Sequence, residues 1–189
     1  WYEVAPWLQN RGMTNPFTNP GTEPWWDPTW FPAVPADMSV GVFIVTLRDC
    51  EPFPTGCQGF EPEGWLLDSQ AALVQAGLLD GADPSRIAAI GSSIGADGAA
   101  DACSLVNEQS PGSCNGALSL SPGSFLVVPY VDAVESLGLS DPAVPAWCLA
   151  SPEEIAACTV ADSAGNTAFQ TFEIAEGRHG NELMLPLAD

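Results

Sequence analysis

A serine, a histidine and a glutamate stand in an order that could support nucleophilic catalysis. Gly91 to Gly95 read GSSIG, which matches G-x-S-x-G with Ser93 in the middle. An apolar run, RIAAIG, precedes the motif and a helix rich in small residues follows it. This context predicts a sharp strand-to-helix turn that projects the Ser93 hydroxyl, with glycines on both sides because larger side chains would clash.

A serine hydroxyl is a weak nucleophile and needs a neighbouring base. His179 is the one histidine in the chain, and it follows the last predicted strand in EGRHGNEL. Between the serine and the histidine, the predicted strand PAWCLA leads into Ser151-Pro152-Glu153-Glu154. Either Glu154 or Glu153 would orient the imidazole there, with Asp162 as a third choice. Asp97, beside the serine, is predicted to face solvent or to cap a backbone group.

The elements around these residues alternate between apolar strands and amphipathic helices. Strands are predicted in Met38–Leu47, RIAAIG, GALSLSPG, AVPAWCLAS and TAFQTFEIAEG. Helices are predicted over Trp1–Gly12, Gly64–Leu79, SIGADGAADACSLV and Asp132–Leu137, with a helical or irregular stretch after Pro152. This alternation indicates an α/β domain with a parallel sheet and helices on both faces.

With its elements in this order, the sequence resembles the α/β-hydrolase superfamily, in particular its dienelactone-hydrolase-like and small serine esterase branch. The matching pieces run from WYEVAPWLQNRG through GWLLDSQAALVQAGLLDGADPSRIAAIGSSIGADGA, LSLSPG and PAWCLASPEE to AEGRHG. The resemblance implies a single three-layer domain over residues 1–189 with a mostly parallel sheet. It favours Glu154 as the triad acid and makes the backbone N–H of Ile94 an oxyanion donor.

The chain departs from the family at its start and in one loop. Relatives have strands before the helix that WYEVAPWLQNRG resembles, and a loop there supplies a second oxyanion donor. We therefore expect an N-terminal segment, or a second chain, to complete the sheet. Relatives also carry Asp-x-Arg-Gly after the strand predicted at Val40–Leu47, where this chain has Leu47-Arg48-Asp49-Cys50.

A proline- and tryptophan-rich stretch at about residues 14–37 looks like an insertion. Its prolines exclude a regular helix or a central strand. One interpretation is a lid or aromatic wall over an apolar ester, with Trp25, Trp26 and Trp30 contacting substrate. The other is a surface patch packed on the domain or on a partner.

The charge balance restricts the partners of the protein. Among 189 residues there are 24 acidic residues against four arginines and no lysine, which gives a net charge of −20. Such a surface disfavours nucleic acid and anionic membranes. No apolar run is long enough to span a bilayer, and no cysteine–histidine cluster or calcium-loop spacing indicates a metal. A metal or organic cofactor is not expected.

Six cysteines fall into three close pairs along the chain. The predicted disulfides are Cys50–Cys57, Cys103–Cys114 and Cys148–Cys158, with six buried thiols as the alternative. Disulfides indicate an oxidising compartment, either extracellular or periplasmic. The leading hypothesis is a secreted serine hydrolase that cleaves small carboxylic esters through an acyl-enzyme. The alternatives are a non-catalytic extracellular binding or structural module, and a peptidase or lactonase of the same fold.

Overall fold

The computed structural model describes residues 1, 5, 39–51, 56–174 and 177–184. It divides the chain into two compact units. Trp1–Val45 with Met184–Asp189 form the smaller unit, and Thr46–Leu183 form the larger one. In the smaller unit, Ala5 is helical and donates its N–H to the carbonyl of Trp1 at 3.0 Å. The rest of the helix predicted at Trp1–Gly12 lies outside the described residues.

Two very short strands come first in the larger unit. Strand β1 (Cys50–Glu51) pairs antiparallel with β2 (Gly56–Cys57), and the Cys50–Cys57 disulfide joins them. Just before β1, the Arg48 guanidinium binds the carboxylate of Asp68 at 2.7 Å. The Arg48 backbone N–H also donates to that carboxylate, which therefore holds the loop to the following helix.

Four parallel strands form the main sheet of the larger unit. They are β3 (Ala89–Ser92), β4 (Ala117–Leu120), β5 (Ala146–Ala150) and β6 (Phe169–Glu173), and they are adjacent in chain order. In register, Gly91, Ser119, Cys148 and Thr171 lie side by side across the sheet. Three of these strands lie within segments that the sequence predicts as strands, and β3 extends one residue past the predicted RIAAIG, so the parallel α/β class is confirmed.

Within the described part of the larger unit, four α-helices connect and cover these strands. They are α1 (Pro62–Gly77), α2 (Ile94–Gln109), α3 (Tyr130–Gly138) and α4 (Ala156–Ala161), with 3₁₀ turns at Asp162–Ala164 and Gly180–Met184. Helix α1 begins with Pro62 in its first turn, where the missing N–H costs no intrahelical bond. Helix α2 is rich in alanine and glycine, and these small side chains let it lie close to the sheet.

One face of the sheet is covered by helices and forms the core. The buried cluster there contains, from the sheet, Ala117, Ala146, Cys148 and Ala150 and, from the helices, Ala100, Cys103, Val106, Tyr130, Val134, Leu137 and Cys158. The disulfides Cys103–Cys114 and Cys148–Cys158 belong to this core. All three disulfide pairs are those that the sequence predicts.

On the opposite face, Ile90, Trp147 and Phe172 remain 42 %, 44 % and 37 % exposed. Trp147 and Phe172 pack edge to face with ring centroids 5.7 Å apart. The sequence predicts helices on both faces of the sheet. Among the described elements, helices cover one face. Among the described residues, no helix is long and apolar enough to cross a membrane.

The prediction of a strand over Met38–Leu47 is wrong for residues 39–47, which are the residues of this segment that the structure describes. Residues 39–47 form neither strand nor helix. A β-branched run has the propensity for a strand, but a strand also needs a hydrogen-bonded neighbour. No described residue pairs with this segment, and β3 is the first strand of the parallel sheet.

Candidate active site

The carboxyl ends of the four parallel strands gather the candidate residues at one edge of the sheet. Ser93 follows β3, Ser121 follows β4, Glu154 follows β5 by a short turn, and His179 follows β6. Ligands of parallel α/β sheets bind at this edge, because the loops there converge. The sheet topology therefore brings residues together that are up to 86 positions apart in the chain (Ser93 to His179).

Ser93 occupies a sharp turn between β3 and α2. Its φ of 57° and ψ of −127° are unusual for a residue with a side chain. The Ser93 N–H donates to the carbonyl of Leu120 at 2.8 Å, and its own carbonyl accepts from Ala96. Ser93 is partly exposed, and Ile94 begins α2, whose first N–H groups have no intrahelical acceptor. The turn therefore offers an accessible hydroxyl beside backbone donors.

The two glycines of the motif have different roles. A Cβ at Gly91 would overlap the carbonyl oxygen of Gly95, so only glycine fits there. A Cβ at Gly95 would meet no atom of the described residues within 4 Å. The prediction that both glycines avoid a clash is therefore confirmed for Gly91, whereas at Gly95 none of the described residues would clash with a side chain.

Glu154 contacts the imidazole of His179. Nδ1 of His179 lies 2.8 and 2.9 Å from the two carboxylate oxygens of Glu154. Glu153 instead accepts a hydrogen bond from the N–H of Gly177 at 3.4 Å, on the loop that carries the histidine. Hydrogen bonds to the Glu153 carboxylate, chiefly from its own backbone N–H and the Ser151 hydroxyl, lower its pKa. Asp162 accepts from Thr171 and is not the partner of the histidine.

The loop after His179 rests against the serine turn. Gly180 has a φ of 55°, and a Cβ on it would overlap Oγ of Ser92 and lie 3.8 Å from the Ser93 nitrogen. The Gly180 N–H donates to the Ser121 hydroxyl at 2.9 Å. Among the described residues, no hydrogen bond joins the Ser93 hydroxyl to the His179 ring. Such bonds are often long in unliganded enzymes and shorten when substrate binds.

Asp97, in the first turn of α2, holds the loop that follows β4. Its fully buried carboxylate accepts the backbone N–H groups of Gly123, Ser124 and Phe125 at 2.5 to 3.1 Å. Burial raises the pKa of Asp97, and the three donors oppose that rise. The capping role that the sequence analysis allowed is correct, and the solvent-facing one is wrong. The same loop presents the Phe125 side chain, which is 48 % exposed.

A second buried carboxylate lies one turn further along α2. Asp101 is fully buried, and neither of its oxygens has a hydrogen-bond partner within the described part of the chain. Burial, and then the charge of Asp97, raise the pKa of Asp101 to about 8. The hydroxyl of Tyr130, also buried, has no hydrogen-bond partner among the described residues either. The sequence analysis did not identify Asp101 or Tyr130. An acidic residue on a helix of small residues normally indicates an exposed face, so Asp101 was not expected to be buried.

The remaining predicted site residues contribute no described contact. Trp25, Trp26 and Trp30, with the whole insertion at residues 14–37, lie outside the described residues. Within the described ranges, no group of three or more histidine, cysteine, aspartate or glutamate side chains is arranged to hold a metal ion.

No protein-family model matches the chain, and no curated protein matches it significantly. The indication of function is therefore the geometry at the carboxyl edge of the sheet.

Proposed function

We propose that this protein is a serine hydrolase of the α/β-hydrolase type that cleaves small carboxylic esters through an acyl-enzyme intermediate. The observation that carries the proposal is the contact of Glu154 with Nδ1 of His179, beside a loop packed on the Ser93 turn. Three residues from three separate loops form an ordered nucleophile, base and acid. The three-layer form of the fold, with an N-terminal segment or second chain completing the sheet, belongs to the same proposal.

In this mechanism, Nε2 of His179 removes the proton of the Ser93 hydroxyl as Oγ of Ser93 attacks the acyl carbon of the ester. The Ile94 N–H stabilises the oxyanion, and Glu154 fixes the imidazole tautomer and stabilises the imidazolium that forms. The imidazolium then protonates the leaving alcohol. A water molecule, deprotonated by His179, then attacks the acyl carbon, and the bond to Oγ of Ser93 breaks as the imidazolium returns the proton to Oγ and the acid leaves.

The surroundings of the site support an uncharged ester as substrate. Phe125 offers apolar surface on the loop that Asp97 holds next to α2. The net charge of −20 repels anionic substrates and favours release of the carboxylate product. Three disulfides support a location outside the reducing cytosol, in line with a secreted or periplasmic enzyme.

A fluorophosphonate probe tests the proposal directly. The wild-type protein should be labelled at Ser93, as identified by mass spectrometry of the peptide that contains both Ser92 and Ser93. The Ser93→Ala variant should lose labelling and the hydrolysis of p-nitrophenyl acetate, whereas Ser92→Ala keeps the nucleophile and should still be labelled. Absence of label at Ser93 in the wild-type protein would contradict the proposal.

The two glutamates offer a matched pair for the acid. Glu154→Gln should lower kcat by about 10²-fold or more, because the imidazolium loses its counter-charge and the ring loses its orientation. Glu153→Gln changes the same charge one residue away and should lower kcat at least ten times less. Equal losses in the two variants would show that Glu154 acts only through its charge at a distance.

A second candidate function is a non-catalytic binding module of the same fold. The observation that favours it is that no hydrogen bond joins Ser93 to His179 among the described residues, while the His179 side chain is 51 % exposed. The same probe separates the two candidates, since a binding module would carry no label at either serine.

A further inference from the structure

Ser121 connects the serine turn to the histidine loop. It is 2 % exposed and directly follows β4. Its hydroxyl accepts the N–H of Gly180 at 2.9 Å. The residue before it, Leu120, accepts the N–H of Ser93 at 2.8 Å. Ser121 therefore adjoins both parts of the candidate site. Its hydroxyl holds Gly180, the residue after His179, and the preceding residue, Leu120, holds the backbone N–H of Ser93.

The backbone of Ser121 is in a conformation that favours glycine. Its φ is 57°, where a side chain costs free energy and glycine does not. Such residues persist where the surroundings require them, and they cluster at functional sites. A glycine at position 121 would adopt the same backbone conformation without strain. It would lack the hydroxyl that accepts the Gly180 N–H. The hydroxyl is therefore what serine provides at this position.

We propose that Ser121 is a positioning residue for His179. By holding the Gly180 N–H, its hydroxyl fixes the backbone next to His179 and so sets the distance between the imidazole and Ser93. Ser121 does not contact the reacting atoms in this account, and the inference rests on the proposed hydrolase function. Small displacements of a catalytic base lower the rate strongly, because proton transfer needs a short and aligned approach.

Two substitutions with opposite backbone effects separate positioning from stability. Ser121→Gly relieves the left-handed strain, whereas Ser121→Ala retains it, and both remove the hydroxyl. Both should lower kcat on the order of ten-fold, with KM for p-nitrophenyl acetate within about two-fold of wild type. The rate of fluorophosphonate labelling at Ser93 should fall in parallel. Wild-type kcat in both variants would overturn the inference.

Ser124 provides the matched control. It has a φ of 58°, and its hydroxyl accepts the N–H of Tyr130 rather than a group on the histidine loop. Ser124→Gly should therefore remove the hydroxyl from an exposed left-handed serine and leave kcat within about two-fold of wild type. An equal loss of kcat in Ser124→Gly and Ser121→Gly would assign the effect to the loop as a whole and overturn the specific role of Ser121.

The single histidine of the chain allows a readout that does not depend on activity. The imidazole NMR signals can only come from His179. They should shift or broaden in Ser121→Gly and Ser121→Ala and stay unchanged in Ser124→Gly. Unchanged signals in the Ser121 variants would overturn the inference, even if the wild-type protein is labelled at Ser93. A wild-type protein without label contradicts the hydrolase function instead.

Discussion

Asp97 and Asp101 are one helical turn apart on α2 and equally buried, yet their surroundings differ. The Asp97 carboxylate accepts three backbone N–H groups from the loop after β4. The Asp101 carboxylate has no hydrogen-bond partner among the described residues. Two carboxylates of the same helix face therefore play opposite parts, one as a structural acceptor and the other as a desolvated acid.

The difference between the two aspartates lies in the hydrogen-bond donors that replace the water lost on burial. A buried carboxylate without donors is disfavoured, and its pKa rises until the neutral acid predominates. Asp97 meets that cost by replacing water with a row of backbone donors, which also fixes the loop that starts at Ser121. Asp101 has no such donors, and the nearby charge of Asp97 adds to its pKa rise. The first turn of α2 is thus organised around the site, while the second turn carries a destabilising group.

The largest effect is expected from Asp97→Ala. Three backbone N–H groups in partly buried hydrogen bonds to a carboxylate would lose their acceptor, at about 1–3 kcal/mol each, so the free energy of unfolding should fall by roughly 3 kcal/mol or more. Asp97→Asn keeps one acceptor oxygen and should lose less. Urea unfolding followed by tryptophan fluorescence gives both values. A loss below about 1 kcal/mol in Asp97→Ala would mean that solvent can replace the carboxylate.

A smaller effect of opposite sign is expected from Asp101→Asn. The pKa of Asp101 is raised from 3.8 to about 8 in the folded protein, so the native state binds this proton more tightly than the unfolded chain. The contribution of this group to stability is therefore fully present below about pH 4 and lost as the pH rises through about 8. Asp101→Asn should remove this dependence and stabilise the protein by about 1–3 kcal/mol at pH 7, because the buried amide, which also lacks partners, offsets part of the gain.

Unfolding at pH 5, 7 and 9 measures this prediction, with Asp80→Asn as the control. Asp80 is exposed in the turn after α1, so the same change of charge there should leave the pH dependence of the wild type in place. An Asp101→Asn variant whose stability falls with pH as steeply as that of the wild type would show that Asp101 is ionised in the native state.

The smallest effect is expected from Tyr130→Phe. Burial raises the pKa of the Tyr130 hydroxyl and the Ser119 side chain opposes that rise, but the hydroxyl has no well-aligned hydrogen-bond partner among the described residues. Removing a buried hydroxyl without a partner should stabilise the protein by up to about 1 kcal/mol, since no bond is lost. Thermal unfolding measures the change in Tm. A destabilised Tyr130→Phe variant would show that this hydroxyl is bonded in solution, for example to an internal water.

Much of the fold could be predicted from local patterns. The apolar runs around Ala89–Ser92 and Ala146–Ala150, and the small-residue helix after Ser93, form the expected elements because periodicity and glycine placement act over a few residues. The run at residues 39–47 is also apolar and richer in β-branched residues, yet it forms no strand. Strand formation depends on a neighbouring chain, which composition does not report.

The candidate site also combines features that the sequence predicts with contacts that it does not predict. The order of serine, acid and histidine along the chain is readable, and so is the restriction at Gly91. The residues by themselves leave the choice between Glu153 and Glu154 open, because adjacent residues in a turn point in different directions, and only the resemblance favours Glu154. Asp97 and Ser121 carry no local signal of which groups they contact, since their partners lie in other loops, and nothing in the local sequence marks Asp101 as buried without a partner.

The sequence by itself determined the parallel order of strands and helices, the three disulfide pairs and the glycine-bounded turn at Ser93. Each depends on residues close together in the chain, or on the convergence of parallel strand ends at one sheet edge. Only the tertiary structure decided that Glu154 contacts His179, that Ser121 holds the Gly180 N–H, and that α2 buries one carboxylate with donors and one without. These contacts join distant loops, and their geometry follows from packing.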